Sequence, residues 1–123
     1  MGPLRIGHID IASAGPAASA AFYGALLGWR TDVHEEEGYT SFHDGSLSGG
    51  FPDLRRGFAP VREVLEPGDV LPYVEVDDLA ATLERVEDLG GETVLEPTQA
   101  APGVWLAIIR DPGGAKLALS HCE

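Results

Sequence analysis

Two short segments of this sequence place polar groups that can move a proton two residues from a carboxylate. His8 and Asp10 stand in Arg5-Ile-Gly-His-Ile-Asp-Ile11, and Tyr73 and Glu75 stand in Leu71-Pro-Tyr-Val-Glu-Val76. In each segment apolar and polar residues alternate, which predicts a strand, so side chains two apart share a face. Imidazole titrates near neutral pH and suits general acid or base work, and a phenol can act beside it. His8 and Tyr73 are therefore the candidate catalytic pair. The plainer expectation for His8 is an imidazole bonded to a neighbouring acid or to a backbone carbonyl.

Other residue types capable of chemistry are less well placed. His34 precedes three consecutive glutamates, Glu35 to Glu37; on a strand these alternate faces and cannot converge on one ion, so a solvated edge or hairpin is expected. His43 beside Asp44-Gly45 reads as a strand end, and His121 as part of a loose C-terminus. No nucleophile elbow is present, and Cys122 is poorly placed for nucleophilic attack. Gly113 and Gly114 follow Asp111-Pro112 in a turn, and no lysine and helix follow to make a phosphate loop.

The elements that must position these groups come in a repeated order. After the first strand, Gly15-Pro16 opens a helix whose apolar stripe is expected at Ala18, Ala21, Phe22, Ala25 and Leu26, with Gly28 as its stop. Strands are expected at 29–35, 39–43 and 47–51. Residues 53–69, holding Pro60 and Pro67 without a period, read as a connection. The order then returns: a strand at 71–76, a helix capped by Asp77 or Asp78 with a stripe of Leu79, Leu83, Val86 and Leu89, a stop at Gly90-Gly91, and strands at 92–95, 104–110 and 115–120. This is a βαβββ module repeated after about 60 residues, module 1 at about 4–52 and module 2 at about 70–121 of a single domain spanning 1–123. The predicted fold class is α+β, a curved, cup-shaped mixed sheet with helices on the outer face. Ile9, Ile11, Val74, Val76, Leu117 and Leu119 would pack under the helices. His8, Asp10, Tyr73, Glu75 and Ala118 would line the cup, bordered by Trp105 and Phe51, with Phe42 as core filling. Asp10 and Glu75 would pair with arginines at the rim, or serve as oxygen ligands.

Composition narrows the function. Twenty acidic against eight basic residues give a formal net charge of −12, which repels phosphate backbones and argues against nucleic-acid binding. That charge serves solubility or attracts a cationic ligand. No apolar run reaches the ~20 residues of a membrane span. A start without a secretory pattern and a single cysteine, Cys122, point to the cytoplasm.

Three stretches carry a family likeness: "GHIDI…AFYGALLGW" at 7–29, "PYVEVDDLAATLERVEDLGGE" at 72–92 and "RDPGGAKLAL" at 110–119. In this order and spacing the chain resembles the vicinal oxygen chelate superfamily of glyoxalases, bleomycin-resistance proteins and extradiol dioxygenases. The resemblance implies a divalent metal (Zn, Ni, Mn or Fe) held by a first-strand histidine, its counterpart in the other module and a closing-strand glutamate. His8 matches the first ligand, but the counterpart is Tyr73, the glutamate position falls at Ala118, and Leu47 to Phe51 carries no carboxylate. One imidazole makes no cage where catalytic sites use about three protein ligands, so no metal cofactor is expected; if one is held, His8 with Asp10 or Glu75 would hold it. The resemblance implies a small-molecule pocket protein and a homodimer. Two functions compete: a binder that sequesters an aromatic or cationic compound, and a lyase, isomerase or dioxygenase working through His8 and Tyr73.

Overall fold

The computed structural model describes residues 3–34, 36 and 38–123. Eight strands and three helices follow one another: β1 (Ile6–Ile11), α1 (Pro16–Leu27), β2 (Arg30–His34), β3 (Tyr39–His43), β4 (Ser48–Pro52), α2 (Ala59–Arg62), β5 (Val70–Glu75), α3 (Leu79–Asp88), β6 (Glu92–Ala101), β7 (Val104–Arg110) and β8 (Lys116–Cys122). The chain divides into two compact units. The first holds His8–Leu71; the second holds Pro72–Glu123 with the few residues before His8. Each has the α+β content expected, one βαβββ run.

In the first unit the strand order is β2-β3-β4-β1. β1 pairs with β4 in parallel, through His8–Ser48, Ile9–Gly49 and Asp10–Gly50, whereas β2–β3 and β3–β4 are antiparallel. The second unit repeats this plan in the order β5-β8-β7-β6. There β5 and β8 are parallel, with Tyr73 opposite Ala118 and Glu75 opposite Ser120, and the remaining pairs are antiparallel. A parallel pair needs a crossover connection. α1 lies within that of the first unit and α3 within that of the second.

Local sequence explains the boundaries. Ser13 Oγ accepts from Gly15 N at 3.0 Å and meets Ser19 Oγ at 2.6 Å, turning the chain into α1 with Pro16 in its first turn. Gly28 ends α1 with φ of 74°, a left-handed value that only glycine adopts without strain, and its N–H returns to Gly24 O. Asp78 caps α3, its Oδ1 accepting from Ala81 N at 3.0 Å. Asp111 closes the β7–β8 turn by accepting from Gly113 N and Ala115 N.

The two helices differ in how well their spacing chose a face. α3 carries Glu84, Arg85, Glu87 and Asp88, so Leu79, Leu83 and Val86 form the inward side, packing with Val76, Ala107 and Leu119. Leu89, expected in that stripe, is 67% exposed, because the helix ends before it. α1 is different. The residues expected inside turn outward, with Phe22 59% and Leu26 63% exposed and Ala18, Ala21 and Ala25 exposed too. The buried line is Pro16, Ala20 and half-buried Tyr23. Nearly every residue of α1 is apolar or small, so spacing could not choose a face; the sheet did, by offering an aromatic surface.

That surface is a stack. Trp29 lies on Phe42 at 4.5 Å between centroids, Phe42 meets Phe51 at 5.2 Å, and Tyr23 stacks on Phe51 at 5.7 Å. Ring pairs of this kind add about 0.5–1.5 kcal/mol each beyond the area they bury.

Three further expectations are corrected. Residues 53–69 are not wholly irregular: α2 forms there and buries Val61, with Leu65 buried just beyond it. β6 runs to Ala101, well past the strand expected at 92–95, bent by register shifts against β7. His121 belongs to β8, opposite Trp105, and its Nδ1 lies 3.0 Å from Val76 O. His43 does sit at a strand end, its Nδ1 accepting from Gly45 N at 2.9 Å.

A pair of truncations separates the two sides of α1. Phe51→Ala is expected to destabilise the fold by about 3–5 kcal/mol in urea titration. Phe22→Ala is expected to leave the stability of the isolated chain within about 0.5 kcal/mol of the parent.

Candidate functional site

The first unit gathers three proton-bearing side chains on the sheet face opposite α1. His8 and Asp10 come from β1, as strand alternation requires, and Tyr39 comes from the start of β3. His8 Nε2 lies 2.8 Å from Asp10 Oδ1, Tyr39 Oη lies 2.9 Å from His8 Nε2, and Tyr39 Oη donates to the same Asp10 oxygen at 2.8 Å. The His8 and Tyr39 rings run nearly parallel, 19° apart. Asp10 is 5% exposed at its side chain and His8 32%. A buried carboxylate is thus met by two donors, and the imidazole reaches solvent.

Hydrogen counting sets the imidazole tautomer. A bare Nε2 would face Oδ1 at 2.8 Å lone pair to lone pair, and the single hydroxyl proton of Tyr39 already points to that oxygen. Nε2–H is therefore the tautomer that lets His8 donate to Asp10 Oδ1. A carboxylate that fixes one imidazole nitrogen as N–H and stabilises the imidazolium is the arrangement of a general base.

Tyr39 was not singled out in the sequence, and glycine explains how it arrives. Tyr39 stands opposite Pro52, and Gly50 on β4 lies between Ser41 of β3 and Asp10 of β1. A Cβ at Gly50 would overlap the Tyr39 hydroxyl and ring; one at Gly49 would overlap the Phe42 ring and Ile9 O. Each glycine makes room for an aromatic ring on one face of the sheet. Adjacent glycines inside a short strand are the signal that such close approach is coming.

The remaining predicted residues fall elsewhere. Phe51 is fully buried in the aromatic stack under α1 and is a core residue, not a pocket wall. Trp105 lies on the α3 side of its sheet, packed against the buried cluster of Val76, Leu79, Leu83, Ala107 and Leu119, its Nε1 donating to Glu123 Oε1 at 3.1 Å. The alternation of β7 puts Trp105 on the same face as Ala107, which belongs to the core. Tyr73 and Glu75 are on the other face of β5, in the second unit; Tyr73 is half-buried, Glu75 exposed and Ala118 fully buried. Asp10 meets an imidazole and a phenol. His34 is exposed with Ser41 Oγ 3.2 Å away, and its neighbours Glu35 and Glu37 lie outside the described residues.

Among the described residues, the strand positions that carry the superfamily's ligands are filled differently here. The register pairs first and closing strands as His8–Ser48 and Tyr73–Ala118, so neither pair brings a carboxylate. The Nε2 of His8 is committed to Asp10 and Tyr39. Among the described residues no three His, Cys, Asp or Glu side chains gather to hold an ion.

A cavity of about 350 Å³ opens in the same unit, where α1 begins, between Gly15–Ala18, Val33, Thr40, Asp53, Arg55 and Arg56, with Tyr39 at its wall. Buried Asp53 builds its floor: Oδ1 accepts from Arg55 N at 2.8 Å and Arg56 N at 3.3 Å, and Oδ2 from Arg56 Nε at 3.1 Å.

Comparison with known proteins agrees with this architecture. Residues 8–120 match the family described as glyoxalase-like domain. The chain belongs to the glyoxalase-like domain family. It is 32% identical over 121 residues to the anthracycline biosynthesis protein DnrV of Streptomyces peucetius and 31% to DauV of Streptomyces sp. strain C5, covering 89% of this chain and 44% of each relative. The chain thus spans less than half the length of these relatives. Among solved structures, a glyoxalase/bleomycin resistance protein/dioxygenase superfamily member from Vibrio splendidus 12B01 superposes with a TM-score of 0.68 at 16% identity, over 98% of this chain and all of that one. Methylmalonyl-CoA epimerase in complex with methylmalonyl-CoA superposes with a TM-score of 0.62 at 23% identity, over 98% and 96%. These two likenesses concern the fold. No helix among the described residues of this glyoxalase-like chain is long and apolar enough to cross a membrane.

The cavity floor gives a pH test. The Arg55 backbone N–H, with the Arg56 side chain, holds the Asp53 carboxyl below the usual carboxylate range against the opposing effect of burial. A carboxyl more acidic in the fold than in the unfolded chain stabilises fully above about pH 4 and loses that contribution as the pH falls through its folded value. Asp53→Ala is expected to cost about 1–3 kcal/mol at neutral pH, and urea titrations should show the deficit shrinking toward pH 3.

Proposed function

We propose that this protein binds a small ring compound and moves a proton on it without a divalent metal, His8 acting as base. The observation that carries the reading is the His8–Tyr39–Asp10 triangle, three groups at 2.8–2.9 Å from one another, with a buried carboxylate and a solvent-reaching imidazole. The anthracycline biosynthesis relatives suggest a polycyclic aromatic compound. In such a molecule a C–H beside a carbonyl can yield its proton to the His8 imidazole. The imidazolium so formed is balanced by Asp10 through Nε2–H, and the electron pair left on the substrate spreads to the carbonyl oxygen. Returning the proton to another carbon makes the reaction an isomerisation; loss of a leaving group makes it a lyase reaction. Tyr39 donates to Asp10 beside His8; Tyr73, the acid/base partner expected for His8, stands in the second unit.

Incubation of an anthracycline-type ketone with the protein in deuterated water, read by mass spectrometry, tests this. The protein should speed deuterium incorporation, and His8→Ala should reduce the rate by about 10²–10⁴-fold, the usual contribution of a positioned base. Asp10→Asn should also be slow, with binding kept. If the compound raises the melting temperature but neither exchanges nor changes, the protein is a binding module and the enzymatic reading fails. Calorimetry with Zn, Ni, Mn and Fe(II) should show no tight stoichiometric binding that His8→Ala removes; such binding would defeat the metal-free reading.

We also propose a homodimer and a cytoplasmic setting. Phe22, Leu26 and Leu27 leave an apolar face on α1, each more than half exposed, which a second copy would cover. An exposed lone thiol at Cys122 suits a reducing compartment. Light scattering that gives a monomer at micromolar concentration would remove the dimer.

A further inference from the structure

We infer that Gly50 is a positioning residue for the acid–base cluster: the missing Cβ is what lets Tyr39 cross β4 and bond Asp10. The inference rests on the proton-transfer reading for its functional meaning, but its geometry is independent of any reaction. Asp10, Gly50 and Ser41 stand in register across β1, β4 and β3. Tyr39 starts two residues from Ser41 on the same face and must lean over position 50 to bring Oη within 2.8 Å of Asp10 Oδ1. A Cβ at Gly50 would fall on its hydroxyl and on two of its ring carbons. The obstruction lies at the end of the side chain that makes the bond, so any larger residue at position 50 must push the hydroxyl out of the triangle or push the strands apart.

Gly49 supplies the internal contrast. It faces the α1 side, where a Cβ would meet the Phe42 ring and Ile9 O. Its substitution disturbs the aromatic core and leaves the triangle's own space untouched. A strand gains nothing in stability from two consecutive glycines, and the fold accommodates a different ring over each. Tyr39 loses its place only through Gly50. Asp10 would then lose the phenol donor, and His8 Nε2 the hydroxyl beside it.

The test reads the cluster directly by nuclear magnetic resonance of the histidine ring nitrogens and of the Tyr39 hydroxyl proton, in the full chain without ligand. The parent should show His8 in the Nε2–H form and a slowly exchanging Tyr39 hydroxyl. Gly50→Ala should lose the hydroxyl signal and shift the His8 Nε2 resonance as the phenol beside it leaves, matching Tyr39→Phe, which also lacks that proton. Gly49→Ala should lower the melting temperature and keep both signals. Unchanged signals in Gly50→Ala, or equal loss in Gly49→Ala, would overturn the inference. If Gly50→Ala does not fold, Gly50→Ala combined with Tyr39→Ala decides: recovery of the fold shows that the ring was the obstacle, and continued unfolding shows that position 50 needs glycine for another reason, which sinks the proposal. A parent that shows the hydroxyl and tautomer signature yet exchanges no substrate proton would defeat the proposed function alone.

Discussion

One oxygen of Asp10 organises the chemistry of this chain. Burying an ionised carboxylate is costly unless donors replace the lost water, and the two donors here come from different strands. His8 comes two residues before Asp10 on the same strand, which needs only the period of a strand. Tyr39 comes from beyond β4, which requires the parallel β1–β4 pairing, the antiparallel β3–β4 hairpin and a glycine between them. The crossover through α1 makes that parallel pair possible, and the aromatic stack holds α1 against the opposite face. Remove the stack and the carboxylate loses its second donor's scaffold; remove the glycine and it loses the donor itself.

The two units show how far a repeated plan can diverge. Both keep a parallel first-and-closing strand pair spanned by a helix, and both use an aspartate at a tight turn, Asp44 between β3 and β4 and Asp111 between β7 and β8. Their polar faces differ. His8 and Asp10 of the first unit correspond to Tyr73 and Glu75 of the second, and the register partners Ser48 and Ala118 are both uncharged. Ordinary packing preserves the architecture because the inward positions, Ile11 and Val76, remain apolar. The outward positions are free to change, and with them the chemistry.

Much of the architecture was legible in the sequence because it depends on local signals. Alternation marked β1 and β5, Gly28 and Asp78 marked helix ends, and the return of the same order marked the repeat. The failures share a cause: they depend on which neighbour occupies a face. α1 has too little polarity for its period to show which side is inward, and Phe22 and Leu26 face outward where the spacing predicts them inside. Trp105 and Phe51 were placed on the polar face when the strand phase puts them with the core. Of the site, His8 and Asp10 followed from strand period, whereas Tyr39 depends on a contact 29 residues along the chain from Asp10. Its trace in the sequence was indirect, the Gly49-Gly50 pair on the strand it crosses.

Each unit happens to contain its own tryptophan. Trp29 lies flat on Phe42 in the first, and Trp105 leans on the α3 core in the second, tethered by Glu123. Replacing either indole by phenylalanine would leave a fluorescent reporter confined to one repeat. The emission of the two variants would then reveal whether the repeats melt as one cooperative body or in succession, a property that bears on how a duplicated fold can exchange one half's chemistry while the other keeps the chain folded.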